Sequence, residues 1–171
     1  MAKWLGIQRG VAVCAFGLCC LVAREGAASM AGADRVVVIK SERRLMLLKN
    51  GEVLKSYEVA LGKEPVGHKR RQGDKRTPEG VYVLDRRNAG SRFHRSIHIS
   101  YPNRDDILNA RKQGVAPGGD VMIHGLPKGM EKLEELHTVV NWTNGCIAVT
   151  NAEMDEIWRH VPDGTPIEIR P

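Results

Sequence analysis

Short apolar runs set among polar residues and broken by glycine and asparagine mark most of this chain as strand. Val36 to Lys40 and Leu45 to Lys49 are β-branched or leucine-rich. Asn50-Gly51 then reads as a hairpin turn, because both residues tolerate positive φ. Val53 to Ala60 is the expected returning strand. From Leu61 to Gly80 the composition shifts to Gly, Pro and a basic cluster, His68-Lys69-Arg70-Arg71, which predicts a long exposed loop. Strand character resumes at Val81 to Asp85, and the alternation from Arg95 to Ser100 places Ile97 and Ile99 on one face. Val121 to Ile123, Cys146 to Val149 and Ile167 to Ile169 are further short apolar runs.

Helical spacing is confined to three places. Asn103 to Gln113 carries Ile107 and Ala110 and stops at Gly114, a short surface helix. Met130 to His137 fits a helical turn or two with Leu133 and Leu136 facing inward. Thr150-Asn151-Ala152-Glu153 has the capping-box pattern of a helix start, and Met154, Ile157, Trp158 and Val161 follow at i, i+3, i+4 and i+7. About seven strands with a few short helices define a mostly β domain, with no internal repeat and no second domain.

The 171 residues suit one ordinary domain, and 42% hydrophobic content excludes a disordered chain. Lys3 and Arg9 precede an uncharged stretch from Gly10 to Ala23, and small residues follow from Gly26 to Ala33. This is the order of a secretory signal, and the apolar run ends at Arg24 short of the roughly 20 residues a membrane span needs. The expected organisation is therefore a cleaved signal over residues 1–33, a single domain over residues 34–171, and no membrane span after processing. Leu18 and Cys19, which precede the candidate lipidation cysteines, are not the small residues that lipid attachment favours. Without the leader the net charge falls from +6 to +4, a mildly basic surface suited to an anionic partner. The basic cluster lacks interleaved aromatics, and export separates the chain from nucleic acid, so no nucleic-acid partner is expected.

Processing also removes Cys14, Cys19 and Cys20, leaving Cys146 as a lone thiol in an oxidising compartment. Such a thiol is either buried and inert or kept for its chemistry. His124 ends a strand, 22 positions before Cys146. A thiolate nucleophile needs a neighbouring imidazole to take its proton, and the backbone N–H groups of Asn144, Gly145 and Cys146 can converge on an oxyanion. His94 and His98 lie at i, i+4, but on a strand and without a Cys or Glu companion, so no metal site is expected.

Ile123-His124-Gly125, followed by Thr143-Asn144-Gly145-Cys146-Ile147-Ala148-Val149, resembles the signature of the L,D-transpeptidase (YkuD-like) family of bacterial cell-wall enzymes. Thr77-Pro78-Glu79-Gly80 resembles that family's T-P-x-G turn, and Ser100-Tyr101-Pro102-Asn103 its S-Y-P-N segment. The resemblance implies a β-sandwich-like catalytic domain with no cofactor. In it Cys146 attacks a peptidoglycan stem peptide at the L-centre of its third, diamino residue, with His124 as general base and the Gly125 carbonyl orienting the imidazole. The backbone at Asn144 and Gly145 is the expected oxyanion hole, and Thr143, Arg95 and Tyr101 are the expected substrate contacts. Trp142 beside them serves either packing or substrate contact.

Two departures from the family pattern matter. Many members carry His two residues before the cysteine and Arg two residues after it, where this chain has Asn144 and Ala148. A contact to a substrate carboxylate must then come from Arg92, Arg95 or the basic loop. An amine of a second stem, or of a wall-attached protein, would resolve the thioester, with hydrolysis as the alternative outcome.

Overall fold

The computed structural model describes Met1 and residues 32–171, so the expected leader, with its three cysteines and cleavage sites, lies outside the described residues apart from its ends. Asn50 and Gly51 turn with φ of 53° and 85°, as the hairpin signal requires. They join β2 (Arg44–Lys49) to β3 (Glu52–Glu58), and β1 (Arg35–Ile39) lies antiparallel on the other side of β2. The returning strand stops at Glu58, two residues before its expected end.

Five further strands complete the sheet: β4 (Gly80–Asn88), β5 (Ser96–Ile99), β6 (Met122–His124), β7 (Ile147–Ala148) and β8 (Thr165–Arg170). Their order among the described residues is β3-β2-β1-β8-β4-β5-β6-β7, with β1–β8 and β6–β7 parallel and the remaining pairs antiparallel. Ala60, just past β3 at one edge, exchanges backbone hydrogen bonds of 3.0 and 2.8 Å with Ala148 of β7 at the other edge. The mostly β expectation therefore takes the form of one mixed sheet curled until its edges meet. Val36, Val38, Leu45, Leu47, Ile97, Ile99, Ile123, Ile147, Ile167 and Ile169 form its dry interior.

Helix α1 (Arg104–Lys112) starts at a capping box between Asn103 and Asp106. Ala110 is buried and Ile107 exposed, and the buried partner of Ala110 on the helix is Asp106. Asp106 accepts hydrogen bonds from Tyr82 Oη at 3.0 Å and His68 Nε2 at 2.9 Å, which lets a carboxylate take an inward position. Helix α2 (Asn151–His160) begins at the Thr150–Glu153 capping box and buries Met154, Ile157 and, just beyond its end, Val161. Trp158 is only half-buried, packed on the core between the guanidinium groups of Arg87 and Arg95. The third helical stretch is a 3-10 helix over Glu131–Leu136, and Leu136 points outward at 59% exposure, against the inward expectation.

The largest correction concerns the basic loop from Leu61 to Gly80. It is a strap tied to the body by its own charges rather than a solvated excursion. Asp74 accepts from the backbone N–H groups of Arg70, Arg71 and Arg76 and from Lys69 Nζ at 2.8 Å. Lys69 is 4% exposed. Lys40 Nζ donates to Glu79, Gly67 O and Thr77 O, and His68 Nδ1 accepts from the Glu79 N–H. The expected exposure holds for Arg70 to Gly73 and for Lys63, Glu64 and Lys75, whereas paired charges and satisfied amides let Lys69 and Thr77 be buried.

Candidate active site

β7 lies parallel to β6 with Ile147 opposite Ile123 and Ala148 opposite His124. Side chains alternate between faces along a strand, so Cys146 shares a face with Ala148 and hence with His124. Both line one cleft of about 740 Å³, together with Ser91, Arg92, Phe93, Asp120, Met122, Trp142, Thr143 and Asn144. Sequence positions 22 apart thus meet because a two-residue strand slots beside a three-residue one.

His124 is 4% exposed, and its Nδ1 lies 2.7 Å from the carbonyl oxygen of Gly125. A carbonyl only accepts, so Nδ1 carries the proton of the neutral ring and Nε2 keeps its lone pair. A Cβ at position 125 would lie 2.6 Å from Asn151 Oδ1, so a larger residue there would push that side chain aside. That same Oδ1 accepts the Leu126 N–H at 2.8 Å. The imidazole is gripped from its faces as well, by Phe93 at 4.5 Å and by the edge of Trp142 at 5.7 Å between ring centroids.

The turn before Cys146 is shaped by Thr143, whose hydroxyl donates to the Cys146 carbonyl at 2.7 Å and accepts the Gly145 N–H at 3.1 Å. Thr143 is therefore a brace of the turn before Cys146, and the Gly145 N–H, expected to face an oxyanion, is occupied by it. Gly145 has φ of 131°, and a Cβ there would sit 2.6 Å from the Arg76 carbonyl oxygen. Glycine is needed so that the strap can lie against the turn. Cys146 Sγ donates to the Asp120 carbonyl at 3.6 Å.

Burial pushes the Cys146 thiol above its ordinary value, with the Asp120 carboxylate acting in the same direction and the Met122 N–H and the Lys69 ammonium opposing. Burial likewise holds His124 below the usual imidazole value, although its bond to Gly125 works the other way. Both directions favour the neutral forms of the two side chains.

Two expected substrate contacts do not reach the cleft. Tyr101 is 2% exposed and donates to the Pro117 carbonyl beneath the strap, and Arg95 is paired with Asp155 at 3.2 Å and stacked over Trp158. Trp142 does line the cleft while its indole N–H donates to the His137 carbonyl, so it serves packing and wall at once. His94 and His98 pair with Asp155 and Asp85, and among the described residues no group of three or more His, Cys, Asp or Glu is placed to hold a metal. Phe93, Asp120 and Asn151 were not singled out by the sequence. The only signal for Asp120 is Gly118-Gly119 before it, which marks the turn where Asp120 takes φ of 53°.

Fold and cleft together define a class: a curled β domain that brings a thiol and an imidazole to neighbouring strand ends. Residues 33–169 match the YkuD family model, the L,D-transpeptidase catalytic domain, and the chain belongs to that family. It is 33% identical over 132 residues to the Escherichia coli K12 protein named "Putative L,D-transpeptidase YafK", covering 74% of this chain and 46% of that one. It is 30% identical over 139 residues to "Putative L,D-transpeptidase YqjB" of Bacillus subtilis, covering 81% and 72%. Among solved structures, the helical cell shape determining protein Pgp2 of Campylobacter jejuni superposes with a TM-score of 0.60 at 25% identity, over 81% of this chain and 48% of that one. The chain thus spans about half the length of YafK and of Pgp2.

Proposed function

We propose that this chain is an exported L,D-transpeptidase that takes an acyl group from a peptidoglycan stem peptide onto Cys146 and passes it to an amine. The observation that carries the reading is the tautomer at His124: the Gly125 carbonyl holds the Nδ1 proton, so Nε2 is free to act as base in the cleft that Cys146 lines. As Sγ attacks the carbonyl at the L-centre of the third residue, the thiol proton passes to Nε2 and a carbon–sulfur bond forms. The oxyanion is met by backbone N–H groups of Asn144 and Cys146, Gly145 being held by Thr143. Collapse breaks the carbon–nitrogen bond, and the imidazolium returns its proton to the departing D-residue's amine. An acceptor amine on a second stem or wall-attached protein then attacks the thioester, giving a proton to Nε2 as the carbon–nitrogen bond forms, and the departing Sγ takes that proton back as the carbon–sulfur bond breaks. The neutral forms that burial favours make His124 a base at the moment of attack rather than half of a standing ion pair.

The test supplies tetrapeptide stems with and without a D-amino acid or diamino-acid amine. Intact-protein mass should show a tripeptide acyl group on Cys146, and products should contain the added amine. Tripeptide alone, unchanged by high amine concentration, would establish hydrolysis instead. Export is read separately from the mature N-terminus of envelope material, expected between Ala28 and Asp34; an intact Met1 overturns it.

A further inference from the structure

Once the fold has claimed its cations, the cleft retains one arginine and one carboxylate. Ala148, two residues after the cysteine, brings no charge to the site: its methyl group is fully buried. Arg95 is held by Asp155 and Trp158, and Lys69 by Asp74 and the Arg71 carbonyl. Arg92 and Asp120 line the cleft, are exposed, and take no part in any ion pair among the described residues.

Their positions differ in a way that matters for chemistry. The Arg92 guanidinium lies over the Phe93 ring, 5.5 Å from its centroid, and the same ring stacks on His124. Arg92 therefore belongs to the imidazole side of the cleft. Asp120 belongs to the thiol side, because its carbonyl receives Cys146 Sγ. In the proposed reaction His124 protonates the leaving amine, so the departing residue lies on the imidazole side and the retained acyl residue on the thiol side.

We propose, resting on that functional reading, that the cleft is charge-polarised: Arg92 binds the terminal carboxylate of the departing residue, and Asp120 binds the side-chain ammonium of the retained diamino residue. Asp120 otherwise only hinders the thiol, since its charge opposes ionisation of Cys146. A substrate ammonium placed on it removes that hindrance as the substrate arrives. Binding and activation of the nucleophile are then coupled through one side chain.

The experiment uses synthetic stem tetrapeptides in which the terminal D-alanine is either a free acid or an amide, and the third residue either keeps or lacks its side-chain amine. Wild type is compared with Arg92→Gln, Arg92→Lys and Asp120→Asn, each checked for an unchanged melting temperature. The expected result for Arg92→Gln is a KM raised about tenfold or more for the free acid, with kcat nearly constant and the amide unaffected. Arg92→Lys should restore part of the loss, and Asp120→Asn should raise KM only for the donor bearing the amine. A variant that changes both members of its donor pair equally, or neither, overturns its half of the polarity. Failure of wild type to acylate Cys146 with any donor overturns the functional reading, and this assignment with it. Acylation without donor discrimination overturns the assignment alone.

Discussion

Two segments flank the candidate site, and their composition misleads in opposite directions. The strap from Leu61 to Gly80 is rich in charge, yet it lies against the turn before Cys146 with Lys69 buried and Asp74 accepting four hydrogen bonds. The segment from Met130 to Val140 holds five apolar residues among its eleven, yet Met130, Leu136, Val139 and Val140 are all exposed. With Leu126, Pro127, His137 and Trp142, three of these line an apolar groove of about 250 Å³ that shares Trp142 with the cleft of Cys146 and His124. What decides burial is whether polar groups find partners, not how many there are.

Neither segment lines the cleft itself, though both lie beside it, and the largest effect comes from removing what the cleft holds. Cys146→Ala should abolish turnover while the melting temperature changes by no more than a few degrees, because the half-exposed thiol fills little of the core. His124→Ala should lower kcat/KM by about 10²–10⁴-fold. Wild-type turnover in folded Cys146→Ala protein would end the thiol mechanism.

Breaking the strap should cost less activity and more stability. Asp74→Ala leaves the Lys69 ammonium buried without its carboxylate, a loss of about 3–5 kcal/mol in denaturant unfolding. Burial alone would raise the Asp74 pKa, but the Lys69 bond and three backbone N–H groups hold it below the ordinary carboxylate value. The carboxylate therefore stabilises the fold above the unfolded pKa of about 4, and the contribution is lost as pH falls through the lower folded value. Wild type should lose stability across that acid window, and Asp74→Asn should lose less. Equal acid sensitivity would mean that the strap is not held by this charge.

A smaller effect reads the cleft itself. Because burial raises the Cys146 thiol, its alkylation by iodoacetamide should still be accelerating with pH at the ordinary thiol value of about 8.5. A plateau below pH 7 would instead indicate a standing thiolate–imidazolium pair.

The hairpin, the α2 capping box and the apolar stripe behind it were legible because each is local: turn chemistry and 3.6-residue spacing need no knowledge of the rest of the chain. His124 and Cys146 were legible as residue types, and the family resemblance joined them. Tyr101 and Arg95 were misplaced because their exposure depends on Pro117, Asp155 and Trp158, all distant in sequence. Gly145 shows the same limit. The residue was expected, but its reason, the Arg76 carbonyl pressed against it, comes from a strap about seventy positions earlier.

The smallest expected effect falls on the apolar segment. Leu136 is 59% exposed on the 3-10 stretch, so Leu136→Ser removes little buried surface and should shift unfolding free energy by no more than about 0.5 kcal/mol. The same holds for Val140→Ser at 61% exposure. These substitutions sharpen the comparison because a polar residue in the apolar segment is nearly free, whereas an apolar residue at Asp74 is among the costliest changes outside the core. Trp142 sets the limit of that tolerance: it touches His124 and lines both groove and cleft, so Trp142→Ala should lower activity where its exposed neighbours do not. Should Leu136→Ser cost as much stability as Asp74→Ala, the groove would be packed rather than open, and the contrast between the two segments would fail.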